Sequence, residues 1–444
     1  MQEVKLKVKA GMTIYASTGR NGKKQPDRMA TELFYLAQKG CYLELLDRNY
    51  LFNVATYSLD FDDKYLYTYN YEPEESWTTY AGDLSGNTYQ QEKYIFKDKR
   101  YFRICLKRVD GEAFAVEEEE NIENILRYIS SVEENEKIPS LAFADEISDT
   151  VKKIQELQTE DALLLAILTD THYTVNGTWD DTAANILAVH QKMPFHSLVH
   201  LGDLTDGMLS KNVLESYTRI IQADLAKLNI PVHMVLGNHD ANYFAGNKEI
   251  LSLAEQANLY LKKTGKQTYY YIDDEKRGIR CFFLSSYDND EELRYGFDLG
   301  QIAWLKRCLA QTPSAYHILV FSHDAPLARL DYWSNEIRNG ELLMEVLECH
   351  QKNSENILGF IHGHTHADFV YRERSIPIIS IGCAKCEGMQ EKKPEGAVTP
   401  QRRIGEASQD LWDVLIVKPK EKALHFIRFG AGQDRAIKQG KEDM

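Results

Sequence analysis

The sequence predicts a mixed α/β fold over residues 161–444, preceded by an all-β sandwich over residues 1–112. In the larger part, short apolar runs alternate with amphipathic segments of helical period, which is typical of layered α/β proteins. In the first part, apolar and polar residues alternate with a period of two, as strands with one buried face require. At 444 residues, the chain is long enough for two separate hydrophobic cores.

The all-β prediction rests on short alternating strands that are separated by turn residues. Phe102, Ile104 and Leu106 alternate in this way, and the strand expected from Tyr65 to Tyr71 carries four tyrosines on one face. A turn is expected at Ser85–Asn87. We favour the tyrosine face as half of a sandwich core, because buried β faces are commonly aromatic. The alternative is a surface that binds a glycan or docks a protein.

Residues 113–160 are predicted to form an acidic helical linker. The run Glu117–Glu120 is followed by a helical pattern from Ala144 to Gln158. A charge run of this kind is most simply a solvated connector. The predicted domains are therefore 1–112, 113–160 and 161–444.

The α/β prediction rests on seven strand candidates, five helix candidates and a closing β-hairpin. The strands are expected at Leu163–Leu168, Phe195–Leu201, Val232–Leu236, Arg280–Ser285, Tyr316–Phe321, Ile357–Ile361 and Ile376–Ile381. The helices are expected at Thr182–Lys192, Lys211–Leu228, Lys248–Lys263, Gly300–Gln311 and Gly340–Gln351. The hairpin is expected from Asp413 to Val417 and from Leu424 to Phe429.

Composition excludes several classes of protein. The net charge of −15 argues against a broad electrostatic surface for nucleic acid. No run of about 18 apolar residues is present, so we expect no transmembrane helix. The N-terminus lacks the apolar core of a signal peptide, which suits a cytoplasmic protein.

The seven cysteines are an odd number and are expected to be reduced thiols. Cys383 and Cys386 are interpreted as loop cysteines and not as a zinc site.

Polar motifs follow five of the predicted strands, each at the carboxyl end. In chain order they contain Asp170 and His172, Asp203 and Asp206, Asn238 with His239 and Asp240, His323, and His364 with His366. In layered α/β folds, ligands bind beyond the carboxyl ends of strands, so these side chains are expected to meet at one rim. Glycines at 202, 237 and 363 are expected to turn the backbone there.

These residue types indicate a site for two metal ions. Imidazole, carboxylate and carboxamide ligands without thiolate suit Mn, Fe or Zn. Two such ions, about 3.5–4 Å apart, can share a bridging hydroxide that attacks phosphorus. The predicted cofactor is therefore a pair of divalent or trivalent metal ions.

The ordered series D-x-H, G-D-x-x-D, G-N-H-D, H and G-H-x-H resembles that of the calcineurin-like metallophosphoesterases, over residues 163–384. The resemblance implies a β-sandwich flanked by helices. It implies that the first metal is held by Asp170, His172 and His366, the second by Asn238, His323 and His364, and that Asp203 bridges them. It also implies that His239 stabilises the transition state or protonates the leaving oxygen, with Asp240 orienting it. Apart from the resemblance, Asp206 is interpreted as a residue that holds the loop or a histidine in place.

Two further segments carry weaker resemblances. The segment from Arg428 to Arg435 resembles the C-terminal signature of a bacterial and phage-associated subgroup. The N-terminal region resembles accessory modules of phage and surface proteins of Gram-positive bacteria. A location at a phage or cell surface is therefore the alternative to the cytoplasm.

The loops after the strands favour a phosphodiesterase. The loops 173–179, 242–247, 287–295 and 325–333 contain Arg294 and Arg329 as their cations. A monoester dianion usually attracts more cationic donors. The alternatives are a phosphomonoesterase, a nuclease, which the acidic charge disfavours, and a non-enzymatic binding protein of a surface or phage.

Overall fold

The computed structural model describes residues 2–14, 21–59, 78–80, 93–130, 139–175, 177–244, 246–385 and 397–439. They divide into two units, Met1–Glu136 with Thr174–Asn176, and Lys137–Tyr173 with Gly177–Met444. The tyrosine strand expected from Tyr65 to Tyr71, the turn at Ser85–Asn87 and Cys386 lie outside the described residues. None of the helices in the described ranges has both the length and the apolar character needed to cross a membrane.

The first unit is an antiparallel β-sandwich. Its elements are β1 (Gln2–Val4), β2 (Val8–Ala10), β3 (Arg28–Thr31), β4 (Tyr35–Ala37), β5 (Tyr42–Leu45), β6 (Tyr50–Tyr57), β7 (Thr78–Tyr80), β8 (Lys93–Ile95), β9 (Arg100–Arg108), α1 (Val116–Glu120) and β10 (Leu126–Ser130). One sheet has the order β1-β10-β5-β8 and the other the order β2-β3-β9-β6-β7, with β4 also on β9. Leu43 and Tyr128 from the first sheet share a core with Phe52, Phe102 and Ile104 from the second. The all-β prediction is confirmed.

The segment predicted as a helical linker contains a strand. Leu126–Ser130 forms β10, which lies between β1 and β5 and pairs antiparallel with both. Leu126, Tyr128 and Ser130 are buried, and the residues between them are half-buried. This period-two signal was overlooked because the preceding glutamate run dominates the local composition. The helix expected from Ala144 to Gln158 is present in the second unit as α2 (Ala144–Leu157).

The second unit alternates strands and helices. After α2 come β11 (Leu163–Leu168), α3 (Trp179–Lys192), β12 (Ser197–His200), α4 (Lys211–Ala226), β13 (Val232–Met234), α5 (Leu253–Leu261), β14 (Tyr270–Asp274), β15 (Ile279–Phe283), α6 (Leu299–Ala310), β16 (His317–Phe321), α7 (Gly340–Ser354), β17 (Ile357–His362), β18 (Phe369–Tyr371), β19 (Ile378–Ser380), β20 (Leu411–Lys418), β21 (Ala423–Gly430) and β22 (Arg435–Lys438).

Two sheets form the centre of this unit. The first has the order β13-β12-β11-β20-β21-β22, with β11, β12 and β13 parallel and β20 antiparallel to β11. The second has the order β14-β15-β16-β17-β19-β18, in which the four inner strands are parallel. The carboxyl ends of three strands in one sheet and four in the other therefore carry loops that can reach a common rim.

The two sheets pack face to face, with helices on their outer faces. Leu165 and Ile167 of the first sheet share a core with Phe321 and Ile361 of the second. On the outer face of the second sheet, Phe360 packs in a cluster with residues of α6 and α7. The helix α2 lies against β20 and β21 of the first sheet. Burial of each large apolar side chain contributes about 1.5–3 kcal/mol. The predicted layered β-sandwich flanked by helices is confirmed.

Every strand, helix and hairpin strand expected in this unit is present, with shifts at the ends. The strands that the sequence did not reveal are β14, β18 and β22. Each of them lies at a sheet edge and has only three to five residues. Short edge strands need little apolar surface, so their sequence pattern is weak.

Candidate metal centre

The side chains that follow five strands converge on one buried cluster. Among the described residues, four groups have ligand atoms within 4.8 Å of one another. Three of them overlap and each contain a carboxylate and two histidines: Asp170 with His172 and His366, Asp203 with His172 and His239, and Asp203 with His323 and His364. The fourth group is Asp324 with Asp331 and His364. The structure therefore brings the sequence-predicted residues of all five motifs to one place.

The first group surrounds one point. His366 Nε2 lies 3.3 Å from Asp170 Oδ1, and His172 Nε2 lies 3.8 Å from the same oxygen. The two imidazole nitrogens are 3.2 Å apart. Nitrogens and an oxygen that face each other in this way can close around a cation.

The second group has the same form. His323 Nε2 lies 3.2 Å from Asp203 Oδ2 and 3.2 Å from His364 Nδ1. Asn238 is 5% exposed, and its Oδ1 has no hydrogen-bond donor among the described residues. Asp203 Oδ2 also lies 3.8 Å from His172 Nε2, so this one oxygen lies between the two groups.

The backbone at the candidate ligands is unusual. Five of them have a left-handed backbone: Asp170 (φ 54°), His172 (φ 38°), Asp203 (φ 57°), His364 (φ 64°) and His366 (φ 53°). Such a conformation costs a non-glycine residue about 1 kcal/mol or more, and it persists where the surrounding structure requires it. The turns direct each side chain inward from the strand end, which fits a site that is built for a ligand.

Hydrogen bonds fix one oxygen of each central carboxylate and leave the other for a ligand. Asp170 Oδ2 accepts bonds from Thr169 Oγ1 at 2.7 Å and from the backbone N–H of His364 at 3.0 Å. Asp203 Oδ1 accepts the backbone N–H of His239 at 2.9 Å. Asp170 Oδ1 and Asp203 Oδ2, both fully buried, have no donor in the described part of the chain. Buried carboxylate oxygens without donors are costly unless a cation is present.

Electrostatics within the cluster follow from its burial. Burial alone would raise the pKa of Asp203, but His323 and His239 hold it well below its usual value. Burial alone would lower the pKa of His323, but Asp203 raises it well above its usual value. The chain thus already favours a carboxylate anion here, and the donor set fits divalent metal ions of borderline softness.

Two glycines explain how the loops approach so closely. Gly202 has φ 103°, which agrees with the expected sharp turn. Gly237 does not have a positive φ; a Cβ atom there would instead lie 2.1 Å from Asp203 Oδ1. At Gly237 the requirement is therefore space for the carboxylate and not backbone freedom.

His239 lies beside Asp203, but Asp240 does not orient its ring. His239 Nδ1 lies 2.6 Å from the backbone carbonyl of Asp206, which must accept the Nδ1 proton. The carboxylate of Asp240 accepts backbone N–H groups of Asp203 and Gly237 at 2.8 Å and of Leu204 at 3.0 Å. This differs from the expected role, because three backbone donors at the loop ends are better placed than the His239 ring. Asp240 therefore fixes the loop that presents Asp203.

Several residues at the site were not found from the sequence. Asp324 and Asp331 lie 3.3 Å and 3.6 Å from His364 Nε2. The Trp333 indole donates to the carbonyl of His364 at 3.0 Å, and Cys383 Sγ donates to the carbonyl of Asp170 at 3.1 Å. Asp324 directly follows His323 in the sequence, and this adjacency was the one available signal.

Comparison with known proteins gives a family match and distant structural neighbours. Residues 163–368 match the family model for calcineurin-like phosphoesterases. A dimetal phosphatase from Danio rerio is similar in structure, with 16% identity, a TM-score of 0.47 and coverage of 63% of this chain and 99% of that one. GAP50 of Plasmodium, the anchor in the inner membrane complex, has 15% identity, a TM-score of 0.41 and coverage of 63% and 90%. The comparison with curated proteins gives no match.

Proposed function

We propose that this chain cleaves phosphodiesters with two metal ions. Its calcineurin-like phosphoesterase domain at residues 163–368 makes it a metal-dependent phosphoester hydrolase. The observation that carries this proposal is the position of Asp203 Oδ2 between two groups of ligand atoms. The residues that would hold the metals are Asp170, His172 and His366 for the first, His323 and His364 for the second, and Asp203 for both. Asn238 would join the second group through its buried Oδ1, which has no donor among the described residues.

When bound, two ions of Mn, Fe or Zn would activate water and neutralise charge on the phosphoryl oxygens. His239 would supply the leaving-group proton. Its Nδ1 donates to the carbonyl of Asp206, which leaves Nε2, 4.0 Å from Asp203 Oδ2, as the nitrogen that exchanges a proton within the site. Asp240 holds the backbone at Asp203 and so keeps the shared ligand in place.

The surroundings of the site support a diester over a monoester. The Arg294 guanidinium lies over the Tyr243 ring at 4.0 Å and donates to its hydroxyl at 2.9 Å. Arg329 donates to the hydroxyl of Tyr371. Both loop arginines are thus engaged with tyrosines, whereas a monoester dianion usually recruits such donors. A singly charged diester makes a smaller demand on them.

Aromatic side chains beside the ligands would contact the two ester substituents. Phe244 is 44% exposed, and its ring centroid lies 4.5 Å from that of His239. Trp333 is 41% exposed, and its ring lies 6.4 Å from that of His366. A diester has a group on each side of phosphorus, and large aromatic surfaces bury such groups favourably.

The experiment that tests the proposal compares bis-p-nitrophenyl phosphate with p-nitrophenyl phosphate as substrates of the Mn-reconstituted protein. We expect kcat/KM to be at least tenfold higher for the diester. A preference for the monoester would overturn the substrate class and retain the metal site. No turnover of either substrate, with both metals bound, would overturn the assignment of this activity.

The first unit stays outside this proposal. Its role as a glycan-binding or protein-binding module remains a prediction, because the tyrosine strand that suggested it lies outside the described residues. The choice between a cytoplasmic location and a phage or cell surface also remains a prediction.

A further inference from the structure

The imidazole of His364 lies between His323, another candidate ligand, and two buried acids. Its Nδ1 faces His323, 3.2 Å from that residue's Nε2. On the other side of the ring, Nε2 lies 3.3 Å from Asp324 Oδ1 and 3.6 Å from Asp331 Oδ1. Asp324 is 0% exposed and Asp331 is 7% exposed. The two nitrogens of one ring therefore face two different environments.

This arrangement selects one tautomer of His364. A neutral imidazole that binds a metal through Nδ1 must carry its proton on Nε2. His364 Nε2 and Asp324 Oδ1, 3.3 Å apart, are both buried atoms without a hydrogen-bond partner among the described residues. Asp331 Oδ1 accepts backbone N–H bonds from Trp333 at 2.8 Å and Ser334 at 3.0 Å, so it is already partly satisfied. An Nε2 proton on His364 would therefore have Asp324 Oδ1 as its nearest acceptor without another donor, and Asp331 Oδ1 as the next one.

The backbone of His364 is fixed from both sides as well. Its N–H donates to Asp170 Oδ2 at 3.0 Å, and its carbonyl accepts the Trp333 indole N–H at 3.0 Å. The backbone N–H of Trp333 also donates to Asp331. Asp331 is therefore linked to His364 both by its own carboxylate and through Trp333. The segment 331–334 thus supports the ring and the backbone of His364 together.

We propose that Asp324 and Asp331 are positioning residues that hold His364 with its proton on Nε2, so that Nδ1 is presented to the second metal. The inference rests on the proposed function, because it assumes that His364 is a ligand. Carboxylates that orient a ligating histidine strengthen metal binding, typically 10–100-fold. Two carboxylates buried side by side also destabilise the metal-free protein. Their contributions to metal binding and to apo stability therefore have opposite signs.

The test measures Mn(II) binding and metal-free thermal unfolding in the full chain with Asp324→Asn. The amide has the same shape as the carboxylate but no charge. We therefore expect the Mn site that includes His364 to lose affinity 10–100-fold, whether it is the weaker or the stronger of the two sites. The site held by Asp170, His172 and His366 should keep its dissociation constant. The Tm of the metal-free variant should equal or exceed that of the wild type. Asp331→Asn keeps an acceptor for Trp333 and Ser334, and should give the same result with a smaller effect.

Asp410→Asn is the matched control, because it neutralises a fully buried carboxylate whose side-chain hydrogen bonds in the described part of the chain come from Thr182 and Asn185, neither of them a candidate ligand. It should raise the metal-free Tm and leave both Mn dissociation constants unchanged. Equal weakening of both Mn sites by Asp324→Asn, together with a lower metal-free Tm, would show a scaffold role and overturn the proposal. Unchanged Mn affinities in Asp324→Asn would also overturn the proposal. A third Mn ion that binds the wild type but not this variant would overturn it as well. A wild type that binds fewer than two Mn ions would instead contradict the proposed function.

Discussion

His323 Nε2 lies 3.2 Å from Asp203 Oδ2, a contact that joins the two sheets of the second unit at their common rim. Asp203 follows β12 of the first sheet, and His323 follows β16 of the second. The candidate site is therefore assembled from both halves of the sandwich, and its geometry depends on how the two sheets pack.

We expect Asp203→Asn to abolish hydrolysis while the fold is retained, because a two-metal site would lose its shared carboxylate. The substitution removes the charge that lies between the two ligand groups, but its Oδ1 still accepts the backbone N–H of His239. Turnover of bis-p-nitrophenyl phosphate and circular dichroism measure the two effects. Asp98→Asn, at a position with 58% side-chain exposure, is the control. Retained turnover in Asp203→Asn would exclude the two-metal assignment.

Metal removal should abolish activity and lower stability. Without cations, Asp170 and Asp203 are fully buried carboxylates, each with one oxygen that has no donor among the described residues. We expect Mn at 100 times its Kd to raise the free energy of unfolding by about 2.7 kcal/mol per site. Thermal unfolding with increasing Mn after EDTA treatment measures this shift. A Tm that is independent of Mn would argue against a buried metal site.

Gly237→Ala should impair the site by a steric clash alone. The added Cβ would lie 2.1 Å from Asp203 Oδ1, so the carboxylate or the loop must move. We expect weaker Mn binding and loss of turnover, measured by titration and by hydrolysis of the diester. Gly405→Ala is the control: its φ of 84° carries a backbone penalty, but a Cβ there meets nothing within 4 Å. Equal effects of the two substitutions would contradict the steric argument.

Because of Asp410, we expect the free energy of unfolding to fall as pH rises. Burial raises the pKa of Asp410 from 3.8 to about 6, against the hydrogen bonds from Thr182 and Asn185. The folded state therefore binds more protons than the unfolded state between about pH 4 and pH 6, so the free energy of unfolding decreases across this window. The full loss, reached above the folded pKa, is about 3 kcal/mol.

Asp410→Asn should remove this loss. The amide can accept from Asn185 and donate to the Thr182 hydroxyl, which itself donates to the carbonyl of Thr178 at 3.1 Å. Urea unfolding at about pH 4 and pH 8 should show little difference from the wild type at the lower pH and a more stable variant at the higher pH. A constant difference at both values would contradict the assigned pKa.

Arg428→Met should destabilise the second unit by about 3–5 kcal/mol. Arg428 is 2% exposed and pairs with Asp413 at 3.0 Å and with Asp368 at 2.8 Å. Asp368 lies two residues beyond His366, so the pair connects the final hairpin to a ligand loop. Urea unfolding measures the loss, and Arg403→Met, at a side chain with 75% exposure, is the control. Equal stability of the two variants would contradict a structural role for this network.

The sequence predicted where the candidate ligands lie better than it predicted the residues around them. The apolar run Leu163–Leu168 and the polar residues directly after it need only local patterning to be recognised, and the structure has β11 over the same residues. Asp324 and Asp331 lie near His364 through contacts across the fold, which no local period encodes. The strand β10 was hidden for a related reason, since its alternation is short and a charge run precedes it.

The insertion of β20 beside β11 has a consequence for synthesis of the chain. β11 ends at Leu168, but its partner β20 begins at Leu411. At translation rates of about 5–20 residues per second, β11 emerges from the ribosome roughly 10–50 s before β20. One edge of this apolar strand is unpaired during that time. An unpaired apolar edge is a template for aggregation. A nascent chain of this protein therefore exposes this edge until the last hairpin closes the sheet, and we expect a chain truncated before Leu411 to aggregate.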